Sequence, residues 1–232
     1  MSRRCLVLLG GSFDPVHNAH VALGGYFVRL LAPDELRIIP AGNPWQKAPL
    51  LASGADRVAM LRLAFERQPV PVVIDEQELR RQDASYTVDT LRAVRSEVGP
   101  DASIVFVIGA DQLLHLNTWH DWRALFGLTH VCAASRPGFD TATLPPEVAQ
   151  ELRRRSATPD QLRDSAHGLM FLTENLAMDM SATEIRTALA RGERPQQSLP
   201  TPVLDYIEQH HFYKTYWISR NFNRWSSTLS KM

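Results

Sequence analysis

Short apolar runs rich in Val, Ile and Leu recur along the chain, at Cys5 to Leu9, Leu36 to Ile39, Val70 to Ile74, Ile104 to Ile108, Val131 to Ala134 and Leu169 to Leu172. Consecutive rather than alternating apolar positions are the pattern of strands covered on both faces. Between them, apolar residues repeat at helical spacing, as in Leu23, Phe27, Leu30 and Leu31, or Val58, Leu61, Leu63 and Ala64. Strands buried on both faces and separated by helices predict a doubly wound α/β fold, a mostly parallel sheet with helices on both sides. The stretch from Pro137 to His167 breaks the rhythm with several prolines and the basic run Arg153, Arg154, Arg155. Its apolar stripe amounts to Val148 and Leu152, so it predicts a surface excursion holding one short helix.

A chain of 232 residues that is 44% hydrophobic can bury one substantial core, which we place in a single domain over residues 1–216. Twenty-five basic and twenty-five acidic residues cancel, so nothing in the overall charge calls for a nucleic acid, and any phosphate must be met locally. Cys5 and Cys132 both fall in buried-strand runs and make neither a disulfide framework nor a zinc cluster. The apolar stretch after Arg3 and Arg4 is too short for a secretory leader, and no run approaches the roughly 18 apolar residues of a membrane span. A cytoplasmic protein without a membrane partner is expected.

In an open parallel sheet, ligands bind beyond the C-terminal ends of the strands, where the strand order reverses. The first run is followed there by GGSFDPVHNAH, Gly10 to His20, and the fourth by Gly109, Ala110 and Asp111. Neither a G-x-x-x-x-G-K-[ST] loop nor a G-x-G-x-x-G turn is present, which argues against a P-loop NTPase or an ordinary dehydrogenase. Gly10 and Gly11 lack a Cβ and let backbone approach a phosphate, with Ser12 and Phe13 presenting amides and Pro15 stiffening the loop. His17 and His20 stand three residues apart at a predicted helix start, on one face, where an imidazole can steady charge on a phosphate oxygen. The alternative is a pair of capping or surface histidines. No Glu follows as in H-E-x-x-H and no carboxylate cluster is local, so no metal site is predicted. Late in the chain, Ser181 followed by Glu184 has the spacing of a capping box, ahead of an apolar face of Ile185, Ala188 and Leu189. Such a helix start, with Arg186 in its first turns, can hold an anionic phosphate tail; otherwise it is a well-capped surface helix.

Together these motifs resemble the nucleotidyltransferase superfamily marked by a Gly-x-Phe-x-Pro-x-His-x-x-His loop and a late Ser-x-Thr-x-Ile-Arg helix start. Within it the chain is similar to the bacterial nicotinate mononucleotide adenylyltransferases over roughly residues 5–214. Further matching stretches are PAGNPWQK from Pro40, DRVAMLRLA from Asp56, ASYTVDTL from Ala84, VIGADQ from Val107, NTWHDW from Asn117, SRPG from Ser135 and LPTPVLDYIEQHHFY from Leu199. The resemblance implies ATP and nicotinate mononucleotide as substrates, with the mononucleotide's 5′-phosphate attacking the α-phosphorus of ATP and no covalent enzyme intermediate. It assigns His17 and His20 to the reacting phosphates and Gly10, Gly11, Ser12 and Phe13 to backbone contacts with ATP. Ser181, Thr183 and Arg186 would hold the β- and γ-phosphates, and Gly109 and Asp111 would meet the adenosine ribose. For the acceptor it implies stacking on Trp119, carboxylate recognition by backbone near Tyr86 and Thr87, a loop cation at Lys47 near the phosphates, and Arg136 on the same side. Trp119 and Trp122 would otherwise read as core residues. Mg²⁺ is expected to arrive with ATP rather than in a protein carboxylate cage.

The chain departs from the superfamily pattern at Ala19, often Gly, and at Ala182, commonly Ser. Both are small changes that leave the carried roles in place. Rival readings are a relative with another acceptor, such as pantetheine phosphate, the amide mononucleotide or a cytidylyl-transfer substrate, and a nucleotide-sensing protein without turnover. Trp119 with Ser85 to Thr87 favours a pyridine nucleotide, and the presence of His17, His20 and Arg186 favours turnover.

After Tyr216, Ile218, Phe222, Trp225 and Leu229 recur at helical spacing with Arg220 and Arg224 between them. This predicts a short amphipathic helix over part of residues 217–232 that packs on a neighbouring surface or a second copy of the chain; a disordered tail is the alternative. Deleting 217–232 should lower the melting temperature or change the oligomer mass while leaving the chemistry intact. Unaltered melting and mass, by calorimetry and light scattering, would count for the tail.

Overall fold

The computed structural model describes residues 3–42, 50–135, 138–173 and 180–214. Six strands form one parallel sheet: β1 (Cys5–Gly11), β2 (Glu35–Pro40), β3 (Val72–Ile74), β4 (Ser103–Gly109), β5 (His130–Ala134) and β6 (Met170–Thr173). Their spatial order is β3-β2-β1-β4-β5-β6, with every neighbouring pair parallel. The chain therefore works outward from β1 in one direction and from β4 in the other. The crevice between β1 and β4, at their C-terminal ends, is the point where a doubly wound sheet opens to ligands.

Alternation along the strands divides the core in two. On β1, Cys5, Val7 and Leu9 face one layer and Leu6 and Leu8 the other. The first layer packs under α1 (Asn18–Leu31), α2 (Gly54–Phe65), α6 (Ala182–Ala190) and α7 (Thr201–Gln209), through residues such as Phe27, Leu61, Ile185 and Leu204. The second packs under α3 (Thr87–Val98), through Val88, Leu91 and Val94, and under 3₁₀ turns over Ala110–Thr118 and Trp122–Gly127. Each fully buried aliphatic side chain here stabilises the fold by about 1.5–3 kcal/mol of transfer free energy. Both cysteines are buried free thiols. No helix among the described residues is long and apolar enough to cross a membrane.

The stretch from Pro137 to His167 departs from the expected surface excursion with one helix. It holds two, α4 (Pro146–Arg155) and α5 (Pro159–Asp164). Proline stands at the first helical turn of each, where its missing N–H costs nothing and its fixed φ favours the helix. A reciprocal capping box between Thr158 and Gln161 starts α5. Val148 and Leu162 are fully buried, so both helices belong to the core layers. The prolines mark helix starts rather than breaks.

Arg37 of β2 lies inside the structure, its side chain 5% exposed, and donates to Glu35 at 2.6 Å and to both carboxylate oxygens of Glu97 on α3 at 2.6 and 2.8 Å. The bonds to Glu97 and Glu35 outweigh desolvation and hold the Arg37 pKa above its ordinary value, while Arg37 in turn lowers that of Glu97. Arg95, also on α3, donates to the carbonyls of Leu128, Gly99, Ala102 and Ala166. With its C-terminal half tied at the N-terminal edge of the sheet, α3 presents its first turn at the opposite edge, beside the crevice.

His130 at the start of β5 is fully buried: its Nδ1 accepts from the Leu169 N–H, and its Nε2 lies 3.0 Å from the Ser165 carbonyl. These two bonds define the neutral Nε2–H tautomer, and burial pushes the pKa from 6.5 down to about 4. Between those values the unfolded chain binds a proton that the fold refuses, so this contribution is complete above pH 6.5 and is lost as pH falls toward 4. His130→Gln should lower stability at neutral pH yet flatten its acid dependence by up to about 1.4 kcal/mol per pH unit. Urea unfolding of both proteins at about pH 7.5 and about pH 5 checks this, and an unchanged acid slope would contradict it.

Candidate active site

The site begins where β1 ends. A Cβ on Gly11 would stand 3.0 Å from the Phe13 ring, a tight approach that favours glycine where the chain doubles back. Phe13 is 2% exposed and its backbone has φ +48°, a left-handed conformation that costs an L-residue about 1–2 kcal/mol. The loop keeps that shape because other parts of the chain hold it. Arg57 of α2, itself buried, donates to the Ser12 carbonyl at 2.9 Å, and Arg186 of α6 donates to the Asp14 carbonyl at 2.7 Å. The Asp14 carboxylate accepts from the amides of Leu51 at 2.7 Å and Ala52 at 3.1 Å and from the Tyr213 hydroxyl at 2.7 Å.

His17 follows as the N-cap of α1 and His20 lies in its first turn. The helical spacing stacks their rings, centroids 3.7 Å apart and 25° between planes, with the Phe13 ring edge-on to His20 at 4.9 Å. His20 Nδ1 accepts from the His17 N–H at 3.2 Å, which leaves the proton of a neutral His20 ring on Nε2. His17 is 6% exposed, and desolvation lowers its pKa to about 4. At neutral pH it is an uncharged imidazole, able to donate a hydrogen bond but carrying no full charge. A protonated His17 is thereby set aside, and the hydrogen-bonding form remains.

The late motif arrives at the same place. Arg186 bridges 172 residues of sequence to reach Asp14, and its other terminal nitrogen donates to Thr183 Oγ1 at 3.1 Å. Ser181 caps α6, with Oγ accepting from the Thr183 N–H at 3.2 Å. The expected capping box is not formed: the serine turns to the second helical residue, and Glu184 is exposed on the outer face. Through Arg186 the first turns of α6, with their positive dipole end, are tied to the β1–α1 loop.

At the end of β4, Asp111 folds back over Gly109, where a Cβ would meet its Oδ1 at 2.5 Å, and its other oxygen accepts from Gln112 Nε2 at 2.8 Å. Beyond it, Trp119 is half-buried and stands edge-on to Phe106 of β4 at 6.3 Å, while Phe106 lies against the position of Gly10. Trp122 is 7% exposed and packs on Phe126, so it takes the core role and leaves Trp119 as the indole at the rim. Tyr86 is the N-cap of α3 and Thr87 its first residue. The Tyr86 ring lies 4.4 Å from that of His120, a neighbour the sequence did not single out.

Behind this first turn of α3, Glu78 accepts from Thr90 Oγ1 at 2.7 Å, Arg81 donates to the same hydroxyl at 2.8 Å, and Gly42 sits so close to the Glu78 carbonyl that a Cβ would lie 2.0 Å from it. Sequence reasoning also missed Asp14, Arg57 and Tyr213. The available signal was a charged residue, Arg57, set beside the apolar stripe of α2. Lys47 and Arg136 lie outside the described residues, as does the 217–232 segment. Among the described residues, no group of three or more His, Cys, Asp or Glu side chains comes together that could hold a metal ion.

The chain matches the cytidylyltransferase-like family model over residues 8–188. It is 65% identical over 214 residues to a probable nicotinate-nucleotide adenylyltransferase of Herminiimonas arsenicoxydans, covering 91% of this chain and 98% of that one. A probable enzyme of the same name from Laribacter hongkongensis is 45% identical, with 93% and 97% covered. In three dimensions the chain is similar to the Plasmodium falciparum nicotinic acid mononucleotide adenylyltransferase complexed with NaAD, with a TM-score of 0.71 at 16% identity, covering 91% of this chain and 98% of that one. That likeness establishes the same fold.

Proposed function

The chain belongs to the cytidylyltransferase-like family and, within it, to the nicotinate-nucleotide adenylyltransferases, and from that premise we propose that it transfers the AMP moiety of ATP to nicotinate mononucleotide. The products are nicotinate adenine dinucleotide and pyrophosphate, a step of NAD biosynthesis that we place in the cytoplasm. The observation that carries this reading is the meeting of the β1–α1 loop with the first turn of α6 through the Arg186–Asp14 bond. It gathers two backbone-rich, donor-lined segments at the sheet's crevice.

In this reading the acceptor's 5′-phosphate oxygen attacks the α-phosphorus in line. One P–O bond forms, the bond to the β-phosphate breaks, and the charge leaves on pyrophosphate. No proton transfer or enzyme nucleophile is required, so the residues act by aligning the reactants and compensating charge. His17 and His20 donate hydrogen bonds to the oxygens on which charge grows. The backbone of Gly10, Gly11, Ser12 and Phe13 lines the α-phosphate, Ser181, Thr183 and Arg186 hold the β- and γ-phosphates, and Gly109 and Asp111 meet the ribose. Magnesium would enter as the counter-ion of ATP's phosphates. Trp119 offers its face to the pyridine ring. The first turn of α3, at Tyr86 and Thr87, presents the positive end of its helix dipole, which suits the nicotinate carboxylate.

A pyrophosphate-release assay with ATP and a panel of mononucleotides tests this reading. Nicotinate mononucleotide should be preferred over the amide by orders of magnitude, because the amide sets a donor against the α3 N–H groups. Equal turnover of the two would refute the acceptor assignment. His20→Ala should lose roughly a hundredfold or more in kcat with smaller changes in KM, well beyond the modest loss of stability from freeing the His17 N–H. If it turns over within about threefold of the parent, Lys47 or Arg186 rather than His20 supplies the charge stabilisation.

A further inference from the structure

We propose that Asp14 and Tyr213 are positioning residues for AMP transfer, the Tyr213 hydroxyl on the buried Asp14 carboxylate fixing the β1–α1 loop so that it aims the His17–His20 pair. This rests on the AMP-transfer reading above and adds to it two residues that touch no substrate.

Three donors from distant parts of the chain converge on the two oxygens of Asp14: the Leu51 and Ala52 N–H groups and the Tyr213 O–H, the last from 199 residues away. Asp14 is 4% exposed and Tyr213 6% exposed, so water does not compete for these bonds. A carboxylate is the side chain that accepts on both oxygens, whereas an amide would turn its NH₂ toward one of the three donors. The buried charge is compensated nearby. Arg57 feels the Asp14 charge while its guanidinium holds the Ser12 carbonyl, and Arg186 holds the carbonyl of Asp14 itself.

These bonds flank the left-handed backbone at Phe13 and end three residues before His17. Strained backbone of this kind persists where its surroundings over-determine it. Tyr213 has a left-handed backbone of its own, φ +67°, just beyond α7, which turns its side chain inward. The end of the last core helix thereby reaches the phosphate loop. Loosening the loop by a fraction of an ångström moves the imidazole donors away from the oxygens that gain charge, and rates respond steeply to such displacements.

Tyr213→Phe removes one hydroxyl without changing the ring, and Asp14→Asn keeps the shape of the carboxylate. With ATP and nicotinate mononucleotide, Tyr213→Phe should lower kcat about tenfold and Asp14→Asn about a hundredfold, with KM for ATP changed far less. Combined with His20→Ala, either change should add little further loss, because both act through the same histidine pair. Rate losses that multiply with His20→Ala, or a Tyr213→Phe enzyme with parental kcat, would overturn the proposal. If Asp14→Asn does not fold, the Tyr213→Phe cycle decides alone. A parent that makes no dinucleotide would instead refute the AMP-transfer reading, which keeps the two failures apart.

Discussion

The grip on the β1–α1 loop is the constraint on which the rest of the site depends. Two arginines on different helices hold its Ser12 and Asp14 carbonyls, and the Asp14 carboxylate gathers three further donors. An unsupported loop of this shape would relax at Phe13, whose ring fills the space that glycine leaves at position 11. Held from outside, it ends in a helix whose first turn carries two stacked imidazoles. The sheet's contribution is to bring the holders together: α2, α6 and α7 share the core layer under which β1 also packs.

The same burial sets the electrostatics. Desolvation keeps His17 neutral and makes it a hydrogen-bond donor whose strength comes from the low local dielectric rather than from a full charge. Positive potential enters from Arg186 and from the N-terminal turn of α6, both placed against the loop. In the proposed transfer, preorganised dipoles of this sort would need no rearrangement as charge moves toward pyrophosphate. α3, whose first turn is assigned to the acceptor in the proposed reading, is fixed at its far end by Arg37–Glu97 and by Arg95.

The parallel sheet was legible because each strand is apolar on both faces, and the six runs fall within two residues of the observed strands. The phosphate loop and the late motif were legible as local patterns of glycine, histidine, serine and arginine. Their holders were not. Leu51 and Ala52 act through backbone N–H groups that no side chain advertises, and Tyr213 makes its bond across 199 residues. Pro146 and Pro159 were misread because proline breaks a helix from within but begins one at its first turn. The two tryptophans were ambiguous because the chain from Ala110 to Gly127 is mostly 3₁₀, where α-helical spacing does not tell the core face from the rim.

The proposed role of the loop histidines depends on His17 being a desolvated, neutral donor held in place by the loop. Its most direct test is a nitrogen NMR titration of the His17 ring, with the signal assigned by loss in His17→Gln. A ring that stays neutral until the pH approaches about 4 is the predicted result. Titration near the ordinary value of 6.5 would contradict it, showing a solvated loop whose histidines are not held as described.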